Sequence, residues 1–186
     1  MRVIWEASRA GHGSRRRGFT LIEASLTTLI VGVGILAMVQ LFATCSRQNR
    51  DANQETTAML LVGNIQETMN ALPLVDPVYG SSHFGPEPGE TLATYNDIDD
   101  FDGSSFNPPI DAERKPLPQL SQYTQVISVM PVYANQLDVN TNESAPSIVK
   151  GTYTGAVRVR VKILYRPAPA LPAGEVYRAS WIRVDK

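Results

Sequence analysis

The feature that most constrains this chain is a run of apolar residues near its amino terminus. Residues 24–46 contain no charged side chain. As an α-helix, these 23 residues would be about 35 Å long, which exceeds the roughly 30 Å hydrocarbon core of a bilayer. Backbone polar groups in lipid must be hydrogen-bonded within the segment, so the run is predicted to be helical despite Gly32 and Gly34. The sequence therefore predicts one membrane-spanning helix.

The residues before this run indicate how it is oriented. Residues 1–18 carry five arginines and one glutamate, and Arg15, Arg16 and Arg17 are consecutive. Basic residues beside a membrane span stay in the cytoplasm, which places the rest of the chain on the other side. Residues 19–186 then have 12 basic and 17 acidic side chains, a net charge of −5. Such a domain has no general attraction for nucleic acid, so no direct nucleic-acid site is predicted.

Glu23 conflicts with the interpretation of a plain membrane anchor. It lies near the start of the apolar run, after Phe19, Leu21 and Ile22. A carboxylate in hydrocarbon is costly unless it is protonated or paired with a cation. Either Glu23 lies at the level of the lipid headgroups, or it has a cationic partner.

The sequence around Glu23 is informative as a unit. Residues 15–23 read RRRGFTLIE, which combines a basic leader, a glycine, a phenylalanine and a glutamate four residues later. Followed by an uninterrupted apolar helix, this resembles the processing site of the type IV prepilin superfamily, which includes pilins and type II secretion pseudopilins. The resemblance implies that prepilin peptidase cleaves between Gly18 and Phe19, removing the leader 1–18, and that the new Phe19 amine is methylated. It further implies that Glu23 pairs with the Phe19 amine of a neighbouring subunit during assembly.

The same resemblance implies a location, partners and a function. The protein would be a single-pass protein of the bacterial inner membrane, with its amino terminus cytoplasmic and its carboxy-terminal domain periplasmic or carried into an extracellular filament. Its partners would be prepilin peptidase, other pilin or pseudopilin subunits, the inner membrane and the assembly machinery. It would be a structural subunit, a minor pilin or minor pseudopilin, of a type IV pilus or type II secretion filament. The alternative is a minor pilin acting as a binding module for a secreted substrate, a surface or DNA.

Two other amino-terminal signals fit less well. A conventional signal peptide has a shorter apolar core and a cleavage site of small residues. A lipoprotein signal would use Cys45 as the lipidated residue, and Thr44 is a poor fit before such a cysteine. Cys45 is the only cysteine in the chain, so an intrachain disulfide is excluded.

The apolar run is predicted to continue into an amphipathic helix over residues 47–72. Apolar residues recur there at alternating spacings of four and three, which is typical of one helix face. We therefore expect one helix from about Thr20 to Leu72, ended by Pro73, with residues 19–46 in the membrane. The apolar face consists of Ala58, Val62, Ile65, Met69 and Leu72.

Residues 121–186 are typical of an antiparallel sheet. Val157, Val159 and Val161, with Ile163 or Leu164, alternate with basic residues, which predicts a strand with one buried face. The fold class is thus predicted to be α+β and pilin-like, with the long helix packed on three or four antiparallel strands. The basic residues are interpreted as a solvated face that forms salt bridges: Arg158, Arg160, Lys162, Arg178 and Arg183. The predicted strands are Tyr123–Val132, Gln136–Val139, Gly155–Tyr165 and Val176–Val184.

Residues 73–120 are predicted to form a long proline-rich loop, with short strands near Glu90–Tyr95. The loop contains four carboxylates that repel one another, those of Asp97, Asp99, Asp100 and Asp102. One interpretation is a solvated acidic turn. The other is a loop wrapped onto the domain by Phe101, with or without a Ca²⁺ ion, which prefers oxygen ligands; the spacing does not fit an EF-hand.

The sequence contains no recognisable catalytic motif. The sequence has no Ser/His/Asp set, no phosphate-binding glycine loop and no cysteine–histidine metal spacing. Outside the predicted leader, His83 is the only histidine. We therefore expect a protein that is not an enzyme, with Ca²⁺ as the one cofactor to consider.

Overall fold

The computed structural model describes residues 18–80, 83–138 and 147–185. The predicted leader lies outside the described residues except for Gly18, as does Val139 at the end of a predicted strand. The chain divides into two compact units, the first ending at Gln48 and the second beginning at Asn49.

A single long helix, α1, occupies Leu21–Asn70. Its bounds confirm, within two residues, the helix predicted from Thr20 to Leu72. Thr20 caps its start, because the Glu23 N–H donates to the Thr20 hydroxyl at 3.3 Å and to the Thr20 carbonyl at 3.1 Å. The chain leaves the helix just before Pro73, which cannot supply an N–H to continue it.

In the described ranges, four antiparallel strands form one open sheet in chain order: β1 (Ser105–Phe106), β2 (Tyr123–Pro131), β3 (Ala156–Tyr165) and β4 (Gly174–Val184). The alternation predicted for β3 is confirmed, since Val159 and Val161 are fully buried. Ile163 rather than Leu164 continues the buried row, and the pairing with β4 shifts register between these two residues.

The core lies between the second half of α1 and the sheet. The predicted apolar face is confirmed for Ala58, Val62, Ile65 and Met69, which are buried, whereas Leu72 is only half-buried. Leu61 joins this face because it lies three residues after Ala58 and four before Ile65. The sheet contributes buried residues from its two central strands: Ile127, Val129, Val159, Val161 and Ile163.

Two of the expected strands are wrong. Glu90–Tyr95 contains a turn instead, in which the Thr94 and Tyr95 N–H groups donate to the Thr91 carbonyl at 2.8 and 3.0 Å. The Thr94 hydroxyl also accepts a hydrogen bond from the Thr91 N–H at 2.8 Å. Such local side-chain bonds compete with strand pairing. Gln136 forms only an isolated bridge with Tyr133, so residues 136–138 form no strand either.

The segment 73–120 contains short elements of secondary structure. It contains 3₁₀ turns at Asp99–Phe101 and Pro118–Leu120, and it supplies β1 to the sheet. The sheet therefore begins before residue 121. Ile98, Phe101 and Ile110 are at most 2 % exposed, so apolar side chains fix this loop onto the domain.

Candidate functional site

The residues of the predicted cleavage site lie at the start of the described chain. Gly18, Phe19 and Thr20 precede α1 and are exposed, with 72 % of Phe19 accessible to solvent. Glu23 follows in the first turn of α1. An accessible segment outside a helix is what a peptidase requires, and it lies on the amino-terminal side of the apolar run.

The helix start gives Glu23 a local role that sequence reasoning missed. Thr20 and Glu23 have the spacing of a capping box, and the Glu23 N–H donates to the Thr20 hydroxyl. A carboxylate in the first turn also interacts favourably with the helix dipole. Among the described residues, no basic side chain forms an ion pair with Glu23. A cationic partner for Glu23 would thus have to come from outside this part of the chain.

The first half of α1 has the length and composition of a segment that can enter a membrane. By length and composition, α1 is the one helix in the described residues that can cross a membrane, with a mean hydropathy of 2.2 in its most apolar window. Four of its hydroxyl side chains bond back to the helix, because each donates to the carbonyl four residues earlier at 2.7–2.9 Å. These polar groups are therefore satisfied without water. They belong to Ser25, Thr27, Thr28 and Thr44.

Gly32 and Gly34 contact no other element within the described residues. A Cβ atom added at either position would meet no atom within 4 Å outside the adjacent helix backbone. Small residues on an exposed helix surface allow another helix to pack closely against it.

The second candidate region is the acidic loop. Asp97, Asp99 and Asp100 are buried, with 3, 7 and 1 % of each residue exposed. Asp102 is half-buried and forms an ion pair with Lys150. The interpretation of a solvated acidic turn is therefore wrong.

Phe101 holds this loop on the domain, as the other interpretation predicted. Its ring is fully buried and contacts Tyr95 edge-on, with centroids 5.1 Å apart. The Arg114 guanidinium lies 5.5 Å from the ring centroid and donates to the carbonyls of Leu92 and Tyr95 at 3.0 and 2.8 Å. Apolar contact, a cation–π interaction and two hydrogen bonds thus fix one loop segment to another.

The buried carboxylates have perturbed pKa values. Burial raises the pKa of Asp97 to about 8, and the neighbouring charge of Asp99 adds to the effect. Burial also raises the pKa of Asp99, although the hydrogen bond from the Gly85 N–H acts to lower it. For Asp100, burial raises the pKa, the amides of Asp97 and Asn96 oppose it, and the charge of Glu90 adds to it. These carboxyls therefore lack the solvation that an exposed turn would provide.

The loop brings together a different set of carboxylates from the one predicted. Glu87, Glu90 and Asp100 place three oxygens within 4.8 Å of one another. Of the predicted ligands, only Asp100 belongs to this group. Asp99 accepts a hydrogen bond from the Gly85 N–H and Asp102 from the Val129 N–H, both at 2.8 Å.

Sequence reasoning missed the two glutamates because a turn, and not sequence proximity, brings them to Asp100. The turn at Thr91–Tyr95 reverses the chain between Glu90 and the acidic run. The signal that could have found them is the turn chemistry of two threonines three residues apart.

The predicted basic face divides between the two sides of the sheet. Arg178 lies opposite Lys162 in the β3–β4 register, whereas Arg183 lies opposite Val157, on the face that carries the core. Arg183 donates instead to the Leu72 carbonyl at 3.2 Å, near the end of α1. Arg178 forms an ion pair with Glu175 at 2.7 Å. Arg183 is therefore a structural residue and not part of a basic surface.

No family model matches this chain, and neither does any curated protein or solved structure.

Proposed function

We propose that this chain is a structural subunit of a filament of the pilin type, a minor pilin or minor pseudopilin, held in the inner membrane by the first half of α1 before assembly. The observation that carries the proposal is the uncovered apolar surface of that half-helix. Leu21, Ile22 and Phe42 are 89, 81 and 76 % exposed. No part of the described chain covers the 18-residue window that is most apolar.

Such a surface needs a partner other than water. A contiguous exposed apolar surface is typical of a membrane segment or a protein interface. Lipid would cover it in the anchored subunit, and the helices of neighbouring subunits would cover it in a filament. One helix thereby serves both states.

Cleavage before Phe19 would prepare the anchored subunit for the filament. Cleavage of the Gly18–Phe19 peptide bond creates an amine on Phe19, close in sequence to Glu23. In a low-dielectric interior, an unpaired carboxylate is strongly disfavoured and a charge-assisted pair is favoured. The Phe19 amine of one subunit would therefore pair with Glu23 of the next and set their register.

Mass spectrometry of the amino terminus tests the processing step. We expect the full chain, expressed with a prepilin peptidase, to yield a species that begins at methylated Phe19. The Gly18→Leu variant should remain uncut, because a branched side chain replaces the small residue that admits the backbone to the protease. An uncut native chain, or one cut elsewhere, would contradict the proposal.

Filament incorporation tests the role of Glu23. Glu23→Ala should be cleaved normally but be absent from the sheared filament fraction. Glu55→Ala is the matched control, since Glu55 is exposed on the same helix beyond the apolar run. The control should be incorporated like the native protein. Incorporation of Glu23→Ala at the native level would contradict the pairing.

A further inference from the structure

We propose that Glu87, Glu90 and Asp100 form a Ca²⁺-binding site in the loop between α1 and the sheet. Three of their carboxylate oxygens lie within 4.8 Å of one another. Ca²⁺ ligands lie about 2.3–2.6 Å from the ion, so oxygens on opposite sides of one ion are about 5 Å apart. The spacing of the three oxygens therefore fits a single ion.

A buried oxygen without a partner points independently to a ligand. Asp100 is 1 % exposed and directs a carboxylate oxygen into the group. Its Oδ2 accepts hydrogen bonds from the N–H groups of Asn96 and Asp97 at 2.8 and 3.2 Å, whereas its Oδ1 has no partner. Glu87 Oε2 and Asn96 Oδ1 are also buried without a partner. Several orphaned acceptors in one place are costly, and a cation satisfies them together.

These three carboxylates have no cationic partner among the described residues. In the part of the chain that the structure describes, no basic side chain forms an ion pair with Glu87, Glu90 or Asp100. The basic groups nearby have other partners: Arg114 donates to two carbonyls, and Lys150 pairs with Asp102. Three carboxylates this close repel one another, and a divalent ion would reverse that repulsion.

Hydrogen bonds to both of its carboxylate oxygens orient Glu90. The Glu87 N–H donates to Glu90 Oε2 at 3.2 Å, and Asn96 Nδ2 donates to Glu90 Oε1 at 3.2 Å. Such contacts orient ligands in metal sites. The three residues offer only carboxylate oxygens, and this favours Ca²⁺ over the metals that select nitrogen or sulfur.

Ion binding would tie two parts of the loop together. Glu87 and Glu90 precede the Thr91–Tyr95 turn, and Asp100 lies in the 3₁₀ turn after it. An ion that binds only the folded loop stabilises the domain. The site belongs to the loop itself, so the inference does not depend on the proposed role of the protein in a filament.

Calorimetry on the full chain tests the site. The protein in detergent would be treated with EDTA, dialysed and titrated with CaCl₂, and separately with MgCl₂. We expect one Ca²⁺ per chain, weaker binding of Mg²⁺, and a higher melting temperature in CaCl₂ than in EDTA. No binding of CaCl₂ at millimolar concentration, or equal affinity for Mg²⁺, would overturn the assignment.

Substitutions locate the ion and separate binding from folding. Glu87→Gln and Glu90→Gln should each weaken Ca²⁺ binding at least about tenfold. Glu113→Gln is the control, since that glutamate is exposed and bonded only to Lys115 and its own turn. Glu90→Gln also removes a repulsive charge, so in EDTA it should melt no lower than the native protein. Native-like Ca²⁺ affinity in both glutamine variants, or equal loss in Glu113→Gln, would overturn the site.

Discussion

Gln125 on β2 donates a hydrogen bond from Nε2 to the Leu61 carbonyl of α1 at 3.0 Å. The glutamine is fully buried. The same amide donates to the Ile110 carbonyl at 3.1 Å and accepts from the Ile110 N–H at 2.8 Å. One side chain thus connects the helix, the sheet and the loop between them.

Gln125→Ala should lower the free energy of unfolding by about 3 kcal/mol. The substitution leaves both backbone groups of Ile110 buried without this partner, and it leaves a cavity where the amide was. Urea unfolding of the full chain in detergent, followed by tryptophan fluorescence, would measure the change.

The matched control for this prediction is Gln122→Ala. Gln122 is exposed just before the start of β2, so its side chain should contribute less than about 0.5 kcal/mol. Equal effects of the two substitutions would show that the buried amide does not join the three elements.

Arg183→Gln should destabilise the junction between α1 and β4 by about 1 kcal/mol. Arg183 donates to the Leu72 carbonyl at 3.2 Å and to Asn70 Oδ1 at 3.4 Å, where the helix ends. A cation there complements the negative end of the helix dipole. Urea unfolding would compare this variant with Arg166→Gln, whose arginine is exposed; a smaller loss for Arg183→Gln than for Arg166→Gln would refute the role.

The helix and the central strand could be predicted because their patterns are local. The spacing from Ala58 to Met69 defines a helix face, and the alternation from Val157 to Val161 defines a strand face. Each pattern needs only the residues that carry it. The buried faces therefore follow directly from the order of residues.

The loop and its carboxylates could not be predicted because their surroundings are tertiary. Aspartate is usually found at the surface, but Asp97 and Asp100 are buried next to the buried Ile98 and Phe101. Arg183 resembles the other strand arginines until the register with β3 places it on the opposite face. Side-chain contacts between distant segments leave no periodic signal in the sequence.

Asp76→Asn should destabilise the protein near neutral pH but not in acid. Asp76 Oδ1 accepts hydrogen bonds from the Tyr79 and Val78 N–H groups, both at 2.5 Å. The bond from Tyr79 lowers the pKa of Asp76 most, and the bond from Val78 and the Asn96 side chain contribute further. A carboxyl with a lowered pKa in the folded state stabilises above its unfolded value of 3.8. That stabilisation is lost as the pH falls through the folded value.

Urea midpoints at about pH 7 and below about pH 3 would measure this effect. The difference between Asp76→Asn and the native protein should shrink as the pH falls, because Asp76 is then protonated in both folded and unfolded states. Asp51→Asn is the control, since Asp51 is exposed on α1, and it should show no such trend. If the difference in urea midpoint between Asp76→Asn and the native protein stayed constant with pH, it would contradict the assigned hydrogen bonds.

Phe101→Ala should release the loop from the domain and lower the free energy of unfolding by about 3–5 kcal/mol. The ring is fully buried and contacts Tyr95, Phe106 and the Arg114 guanidinium. Its removal leaves a cavity, and the loop that carries Asp97 and Asp100 loses its buried aromatic contact with the domain. Limited proteolysis should therefore cut within residues 73–120 sooner than in the native protein. Tyr133→Ala is the aromatic control, since Tyr133 is 43 % exposed; unchanged cleavage in Phe101→Ala would show that another contact holds the loop.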